Sequence, residues 1–291
     1  MIEHIVFSGG ALSGIYEYGA LAKLYEKKFW KYEDVKSVYG TSVGALLCIF
    51  FCLKEDFDLF THYLIHRPWD KVLNISPDSI LNLYENRGLF DVTLLKTFFN
   101  YWFQHKKWCV DITLKELFEK TQIDVFIYTV RVSDLEVVEL SHYSHPDLKV
   151  YTALAMSCAI PLFFQPVWHQ NDFYIDGGLK CNYPIQYCLK RVDNIESILG
   201  FHVAIERTQH AFHQDMHIVN YFVGLMRNCM HELSHSFRLH PPIKYEIKIP
   251  CIMYDAYSYS ILRDTECRKT MIEDGKKYAE YILSEKSKES Y

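Results

Sequence analysis

The sequence predicts an α/β fold with a mostly parallel central sheet flanked by helices. Two short apolar segments, residues 5–7 and 35–39, end at glycines, and each precedes a stretch in which apolar residues have helical spacing. Strand, turn and helix repeated in this order are typical of parallel strands joined by crossover helices. The chain has 291 residues, 49% of them hydrophobic, which is enough to bury a large core.

The spacing of apolar residues predicts the individual helices and strands. Residues 15–25 have helical spacing, and residues 43–53 form an uninterrupted apolar run that indicates a buried helix. Residues 54–122 predict helical cover on the sheet, with aromatic side chains that we expect to pack in the core. The remaining predictions are a hairpin (125–132 and 137–140), helices (147–158, 215–239 and 264–283) and strands (173–175, 198–203 and 244–249).

The composition argues against several classes of protein. The net charge is −5 without a basic stripe, which argues against a nucleic-acid partner. The longest apolar run is about half of the roughly 20 residues that a transmembrane helix needs. No basic segment followed by a long apolar one opens the chain, so we expect no secretory signal. Nine cysteines without a CxxC pair predict buried thiols in a reducing compartment, and therefore a cytoplasmic protein.

Residues 40–44, Gly-Thr-Ser-Val-Gly, fit the GxSxG pattern of a nucleophile elbow. Gly40 and Gly44 permit a sharp turn from strand to helix, which lifts the hydroxyl of Ser42 clear of the sheet. The motif stands where one predicted strand ends and the apolar helix begins, as an elbow requires. The sequence therefore predicts Ser42 as a nucleophile.

A loop of small residues, Ser-Gly-Gly-Ala-Leu-Ser-Gly at 8–14, follows the first predicted strand. Such a loop points several backbone N–H groups at one anion, at the start of a helix whose dipole favours negative charge. A nucleotide site is disfavoured because Ala11 replaces the second glycine of GxGxxG, and no lysine follows Gly14. Right-handed crossovers bring both loops to one sheet edge, which predicts an oxyanion hole beside Ser42; a simple tight turn is the alternative.

The segment Asp176-Gly177-Gly178 follows another strand-like stretch. An aspartate at the carboxyl end of a strand can face the same crevice while the two glycines turn the chain away. A lone segment of this kind is most often only a turn. Its significance here comes from the two motifs that precede it.

These three motifs, in this order, resemble those of the patatin-like phospholipases, lipid acyl hydrolases with a Ser–Asp dyad. The elbow and the DG[GA] motif match in full, and the oxyanion motif GGGx[KR]G matches in part over residues 9–14. Further similar stretches lie at 113–118, 155–161, 163–166 and 176–184. The resemblance covers about residues 2–205.

The resemblance also implies how the chain is organised. It implies a three-layer patatin-like fold in which residues 1–205 form the catalytic core, with the helical cover at about 54–122. Residues 206–291 are expected to form a C-terminal α/β extension packed on the same domain. No linker, repeat or low-complexity block marks a boundary between the two parts.

The chemistry implied by the resemblance is acyl-ester hydrolysis of the phospholipase A type by a serine carboxylic-ester hydrolase. Ser42 is the implied nucleophile and Asp176 its general base, with no metal or other cofactor. The expected oxyanion hole consists of backbone N–H groups, those of Gly9, Gly10, Ala11 and Val43. The glycines expected to support the turns are Gly14, Gly40, Gly44, Gly177 and Gly178.

Two positions depart from the family pattern. Ala11 replaces the third glycine of the oxyanion motif, a change we expect to be mild if its φ is negative. Ser13 replaces the basic residue and so removes a cation beside the oxyanion. One lost oxyanion donor typically costs about 10²–10³ in rate. The loss at Ser13 favours an alternative, a non-catalytic lipid-binding protein of the same fold.

Two other arrangements would use histidine. His202, near the end of a predicted strand, fits the order of a Ser–His–Asp triad. Residues 231–235, His-Glu-Leu-Ser-His, match HExxH, with His240 or Glu246 as a third zinc ligand and Glu232 as base. Nothing else in the chain belongs to a zinc hydrolase, so a solvated helix face is the favoured interpretation of this segment.

A lipid substrate implies contact with a membrane or micelle surface. We expect a cytoplasmic protein with peripheral membrane contact, in which aromatic residues or lysines near the crevice bind the surface. The lysine pairs at 27–28 and 106–107 are candidates.

Overall fold

The computed structural model describes the chain except residues 73–76, 92, 205–211, 217, 234–239, 251–260, 262 and 289–291. Its strands are β1 (His4–Phe7), β2 (Ser37–Thr41), β3 (Gly88–Phe90), β4 (Asp124–Arg131), β5 (Val137–Leu140), β6 (Leu162–Phe164), β7 (Val167–His169), β8 (Asp172–Asp176), β9 (Ile198–Ala204) and β10 (Tyr245–Pro250). Its α-helices are α1 (Gly14–Glu26), α2 (Val43–Leu53), α3 (Phe57–His66), α4 (Trp69–Val72), α5 (Pro77–Asn86), α6 (Thr93–His105), α7 (Leu114–Thr121), α8 (Val150–Cys158), α9 (Ile185–Leu189), α10 (Ile218–Leu233) and α11 (Thr265–Lys288).

A mixed sheet lies at the centre, with the strand order β10-β9-β1-β2-β4-β8-β7 and with β5 also paired to β4. The five strands from β10 to β4 run parallel, whereas β5, β7 and β8 are antiparallel to their neighbours. Helices pack on both faces of the sheet, around a larger and a smaller apolar cluster. The predicted α/β fold with a mostly parallel central sheet is confirmed.

Helix α2 forms where the apolar run of residues 43–53 predicts a buried helix. Its side chains are buried except those of Val43 and Leu46, which are partly accessible. Burying a large apolar side chain contributes about 1.5–3 kcal/mol, so this helix anchors the elbow firmly in the core.

Strands β2 and β8 meet end to end along one edge of β4. Thr41 of β2 pairs with Tyr128, and Asp176 of β8 pairs with the next residue, Thr129. Strand β5 occupies the opposite edge of β4. The register of β4 therefore brings the residue after β2 next to the last residue of β8.

The C-terminal part packs on the same sheet and helices. Strand β10 pairs in parallel with β9, and α11 packs along α1 so closely that a Cβ on Gly19 would lie 2.2 Å from the carbonyl oxygen of Ile272. The predicted strand and final helix of this part are observed. The division at residue 205 stays a prediction, and positions 234–239 of the predicted helix 215–239 lie outside the described residues.

The region 54–122 is mostly helical as predicted, but it also contains β3, which pairs with β6 in a small second sheet. Strands β3, β6 and β7 have three residues each, too short to show a periodicity of two. The expectation of buried cysteines is wrong for Cys109 and Cys229, which are exposed thiols. Within the described ranges, every helix is too short or too polar to cross a membrane.

Candidate active site

The nucleophile elbow, residues 40–44, forms a tight turn between β2 and α2. Ser42 has a φ of 55°, in the left-handed region that L-residues rarely adopt. A Cβ on Gly40 would lie 2.4 Å from the carbonyl oxygen of Gly44, and one on Gly44 would lie 2.6 Å from that of Phe7. Both positions therefore require glycine because the backbone passes too close for a side chain.

Ser42 and Asp176 form a direct hydrogen bond. The Ser42 hydroxyl donates to Oδ2 of Asp176 at 2.6 Å, and the backbone N–H of Gly178 donates to Oδ1 at 2.7 Å. Both side chains are buried. Burial raises the pKa of Asp176 to about 6, and the two hydrogen bonds oppose that rise. The pair thus holds a carboxylate at neutral pH in contact with a serine hydroxyl.

Ser157 supports the elbow from behind, a role that the motifs did not single out. The backbone N–H of Ser42 donates to the Ser157 hydroxyl at 2.9 Å, and that hydroxyl donates to the carbonyl of Tyr128 at 2.6 Å. The side chain is fully buried at the end of α8. Ser157 lies within the family-like stretch 155–161, and this position is the sequence feature that could have indicated its role.

The oxyanion loop, residues 8–14, lies beside the elbow: a Cβ on Gly9 would be 3.3 Å from that of Ser42. Asn182 fixes the loop through two hydrogen bonds. Its side-chain amide donates to the Gly9 carbonyl at 2.9 Å, and the Gly9 N–H donates to the backbone carbonyl of Asn182 at 2.7 Å. The Gly9 N–H is therefore engaged, contrary to its expected role as an oxyanion donor. The N–H groups of Gly10, Ala11 and Val43 have no acceptor among the described residues.

The two departures from the family pattern have different structural consequences. Ala11 has a φ of 49°, so the condition for a mild change, a negative φ, is not met. An alanine in this left-handed region costs roughly 1–2 kcal/mol, which a glycine would not. Ser13 is fully buried, and its hydroxyl donates to the carbonyl of Pro250 at 3.1 Å. A neutral hydrogen bond to the end of β10 therefore holds the loop at the position where the family pattern has a basic residue.

A pocket of about 200 Å³ has Ser42 in its wall, and most of its lining is apolar. Its lining comes mainly from α1, α2, α3 and α6: Ile15, Tyr18, Leu46, Phe50, Phe60, Leu64, Leu95 and Phe98 are among the residues. Two cations also line it. The guanidinium of Arg67 lies over the ring of Trp69, and that of Arg268 donates to the carbonyls of Ile65 and Ile261. Some aromatic residues of the region 54–122 thus form this pocket, although others pack in the core.

The histidine alternatives do not form around Ser42. His202 stacks on the ring of Tyr183, whereas Ser42 contacts Asp176 without an intervening imidazole. Of the HExxH segment, His231 and Glu232 lie on α10, and positions 234 and 235 lie outside the described residues. The suggested third ligands, His240 and Glu246, lie with His202 at the β9–β10 edge.

The fold and the site together define a class: an α/β protein with a Ser–Asp pair at a nucleophile elbow beside a glycine-rich loop. The sequence model of the patatin-like phospholipase family matches residues 5–189. The chain belongs to this family.

Similar proteins come from different organisms. The probable lipid hydrolase 463L of Invertebrate iridescent virus 6 is 28% identical over 188 residues, which cover 64% of this chain and 63% of that protein. The 1-acylglycerol-3-phosphate O-acyltransferase Pnpla3 of Mus musculus is 27% identical over 186 residues, which cover 62% of this chain and 40% of that protein. The alignments thus span less than two thirds of these relatives.

A solved structure shows the same fold over nearly the whole chain. The crystal structure of VipD from Legionella pneumophila matches with a TM-score of 0.54 at 14% identity, and the match covers 98% of this chain and 67% of that one.

Proposed function

We propose that this protein is a lipid acyl hydrolase that cleaves carboxylic esters through an acyl-serine intermediate on Ser42. The observation that carries the proposal is the 2.6 Å hydrogen bond from the Ser42 hydroxyl to the buried carboxylate of Asp176, at the wall of an apolar pocket. A serine hydroxyl is a weak nucleophile, and a positioned carboxylate that takes its proton activates it.

In the first step, the Ser42 oxygen forms a bond to the ester carbonyl carbon as its proton passes to Oδ2 of Asp176. The tetrahedral intermediate then breaks the bond to the leaving alcohol, which receives the proton from Asp176. In the second step, water attacks the acyl-serine with Asp176 again accepting a proton, and the carboxylic acid and free Ser42 are released. The carboxylate needs no imidazole partner because it contacts the hydroxyl directly.

The negative oxygen of each tetrahedral intermediate requires donors on the side opposite Asp176. The N–H groups of Gly10, Ala11 and Val43 are the proposed donors, since none has an acceptor within the described part of the chain, and Ala11 and Val43 line the same pocket as Ser42. Gly9 is assigned a positioning role through Asn182 instead. Backbone donors in a dry site typically contribute about 10²–10³ each to the rate.

The substrate class follows from the pocket. Its apolar lining beside Ser42 suits an acyl chain, whose burial is favoured by about 25 cal/mol per Å². Water and an alcohol are both possible acceptors for the acyl group, and hydrolysis is the proposal because the family description and the iridescent virus relative both refer to lipid hydrolysis.

We further propose that α10 makes peripheral contact with the lipid surface. Exposed apolar side chains cluster at its N-terminal part and just before it: Phe212, Ile218, Tyr221, Phe222 and Leu225. The other end of α10 reaches the turn that follows Asp176, since Met230 lies 3.3 Å from where a Cβ of Gly178 would be. Lys27 and Lys106 are less suited because each pairs with a glutamate.

A fluorophosphonate probe tests the enzymatic proposal, because it reacts covalently with an activated serine. We expect labelling at Ser42 in the parent and none in Ser42→Ala, with acyl-ester hydrolysis lost in parallel. Ser197→Ala, which changes a buried serine outside the site, serves as the matched control. An unlabelled, folded parent protein that binds vesicles would instead favour the non-catalytic lipid-binding alternative.

Sedimentation with phosphatidylcholine vesicles tests the surface contact. Ile218→Asp and Phe222→Asp should each lower the bound fraction about tenfold while hydrolysis of a short soluble ester is unchanged. Tyr281→Asp, at an exposed position on α11, is the control. Equal binding by all four proteins would exclude α10 as the contact.

A further inference from the structure

A cluster of two histidines and one glutamate lies at the β9–β10 edge, outside the proposed active site. His202 belongs to β9, Glu246 to β10, and His240 to the segment that leads into β10. One potential ligand atom from each residue can be chosen so that all three lie within 4.8 Å of one another. Nδ1 of His202 is 4.0 Å from Oε2 of Glu246, and Nε2 of His240 is 3.6 Å from Oε1.

The hydrogen bonds of the cluster require a positive charge at its centre. Nδ1 of His240 lies 2.9 Å from the carbonyl oxygen of Pro241 and therefore carries a proton, which leaves Nε2 as a lone pair in the neutral imidazole. That lone pair faces Oε1 of Glu246, which accepts no hydrogen bond from the described residues. Two acceptor atoms facing each other repel unless a cation or a proton lies between them.

Burial makes that requirement stronger. The Glu246 side chain is only 10% exposed, and a buried carboxylate is unfavourable without compensation. Within the described part of the chain, no lysine or arginine forms an ion pair with Glu246. Among the described residues, the imidazoles of the cluster are the groups that can carry the compensating charge, and a bound ion is the other source.

We propose that His202, His240 and Glu246 bind a divalent transition-metal ion, zinc in the first place. Two imidazoles and one carboxylate form one of the common zinc ligand sets, whereas calcium and magnesium prefer oxygen ligands alone. Tetrahedral zinc at ordinary bond lengths places its ligand atoms about 3.4 Å apart, so the observed separations need to close by little. The carbonyl of Pro241 fixes the tautomer of His240, as outer partners of zinc ligands commonly do.

The aromatic neighbours preset the orientation of both imidazoles. The ring of Tyr183 stacks on His202 with 4.6 Å between centroids, and it meets His240 edge-on at 5.7 Å. Little side-chain entropy is thus lost when a metal binds, which favours binding.

The metal site would stabilise the strand pair and, through it, the oxyanion loop. Val203, next to His202, donates its backbone N–H to the Ser8 hydroxyl at 2.9 Å, and its side chain packs against Gly10. Tyr183 follows Asn182, which is hydrogen-bonded to Gly9. The proposed ion is structural: it joins β10 to β9 behind the loop, and it takes no part in ester cleavage.

Zinc and cobalt binding to the untagged 291-residue chain test the proposal. After chelator treatment and incubation with Zn²⁺, we expect one zinc per chain by mass spectrometry and a rise in Tm of about 5 °C at a hundredfold excess over Kd. Cobalt should give the visible absorption bands of a low-coordinate site with nitrogen and oxygen ligands. His240→Ala and Glu246→Gln should weaken binding roughly 100-fold or more.

The double variant His231→Ala/His235→Ala is the matched control, because it removes the histidines of the HExxH segment and keeps the cluster. It should retain the full zinc content. Loss of zinc in this control with retention in His240→Ala would overturn the proposal. Binding of less than a tenth of an equivalent by the parent would also overturn it, whether or not the variants fold, and would assign the charge to a protonated imidazole.

Discussion

The nucleophile elbow and the oxyanion loop lie side by side, but they are held in different ways. Ser42 is strained, yet its backbone N–H, its hydroxyl and its partner carboxylate all have short hydrogen bonds to buried groups. In the loop, Ala11 is strained without the glycine that would relieve it, and Ser13 provides no cation. The proposed nucleophile thus has all of its hydrogen-bond partners, whereas the proposed oxyanion hole retains only its backbone donors.

The largest effect expected in the elbow is that of Asp176→Asn. The amide cannot accept the proton of Ser42, so kcat should fall about 10³–10⁴-fold, as when other serine hydrolases lose a triad member. In the parent, kcat/KM should fall tenfold per pH unit below about pH 6, because the pKa of Asp176 is raised to about 6 by burial and only the carboxylate acts as base. Steady-state kinetics from pH 4.5 to 8.5 would measure both.

A flat pH profile in the parent, or an Asp176→Asn variant that keeps its rate, would contradict the dyad. Either outcome would mean that the elbow, like the loop, lacks part of its expected catalytic groups.

Ser157→Ala should have the next largest effect. The variant removes the acceptor of the Ser42 N–H and the donor to the Tyr128 carbonyl, and misplacement of a nucleophile by about 1 Å can cost 10²-fold in rate. We expect kcat to fall about 10- to 100-fold with KM nearly unchanged, measured beside Ser197→Ala as a buried-serine control. Equal rates in the two variants would show that the elbow holds Ser42 without help from α8.

Asp176→Asn should also change the free energy of unfolding, by an amount that depends on pH. Because burial raises the pKa of Asp176 from 3.8 to about 6, the parent loses stability as pH rises from about 4 to about 6, where the unfolded carboxyl has ionised and the buried one still binds a proton, and it stays less stable above pH 6. The asparagine stays neutral, so at pH 8 the variant should gain up to about 3 kcal/mol in free energy of unfolding. Urea unfolding at pH 8 and pH 4 measures this, and an equal gain at both values would assign it to another cause.

Ala11→Gly tests the loop and has the smallest expected effect. It removes a left-handed alanine and restores the family glycine, so the free energy of unfolding should rise by about 1 kcal/mol at any pH between 5 and 8. Activity should be kept, because the backbone donor remains. Ala11→Val should do the opposite, since a β-branched residue is still less favourable at positive φ. A destabilised Ala11→Gly variant would mean that the loop is not strained, and the contrast with the elbow would disappear.

The α/β fold and the pair Ser42 and Asp176 were predictable from local sequence patterns. Strand-to-helix turns with close backbone contacts accept only particular residues, so GxSxG and DGG leave a local signature. The apolar run behind Ser42 is too short to span a membrane, so its side chains were expected to be buried in the core. These features depend on neighbours along the chain.

The tertiary structure decided what depends on distant segments. The register of β4 joins Ser42 to Asp176, the backbone carbonyl of Asn182 accepts the N–H of Gly9, and the φ of Ala11 is positive. His240 and Glu246 joined His202 rather than His231, because β10 pairs with β9. Such contacts are fixed by strand pairing and packing across the whole chain, which leave no periodic pattern in the local sequence.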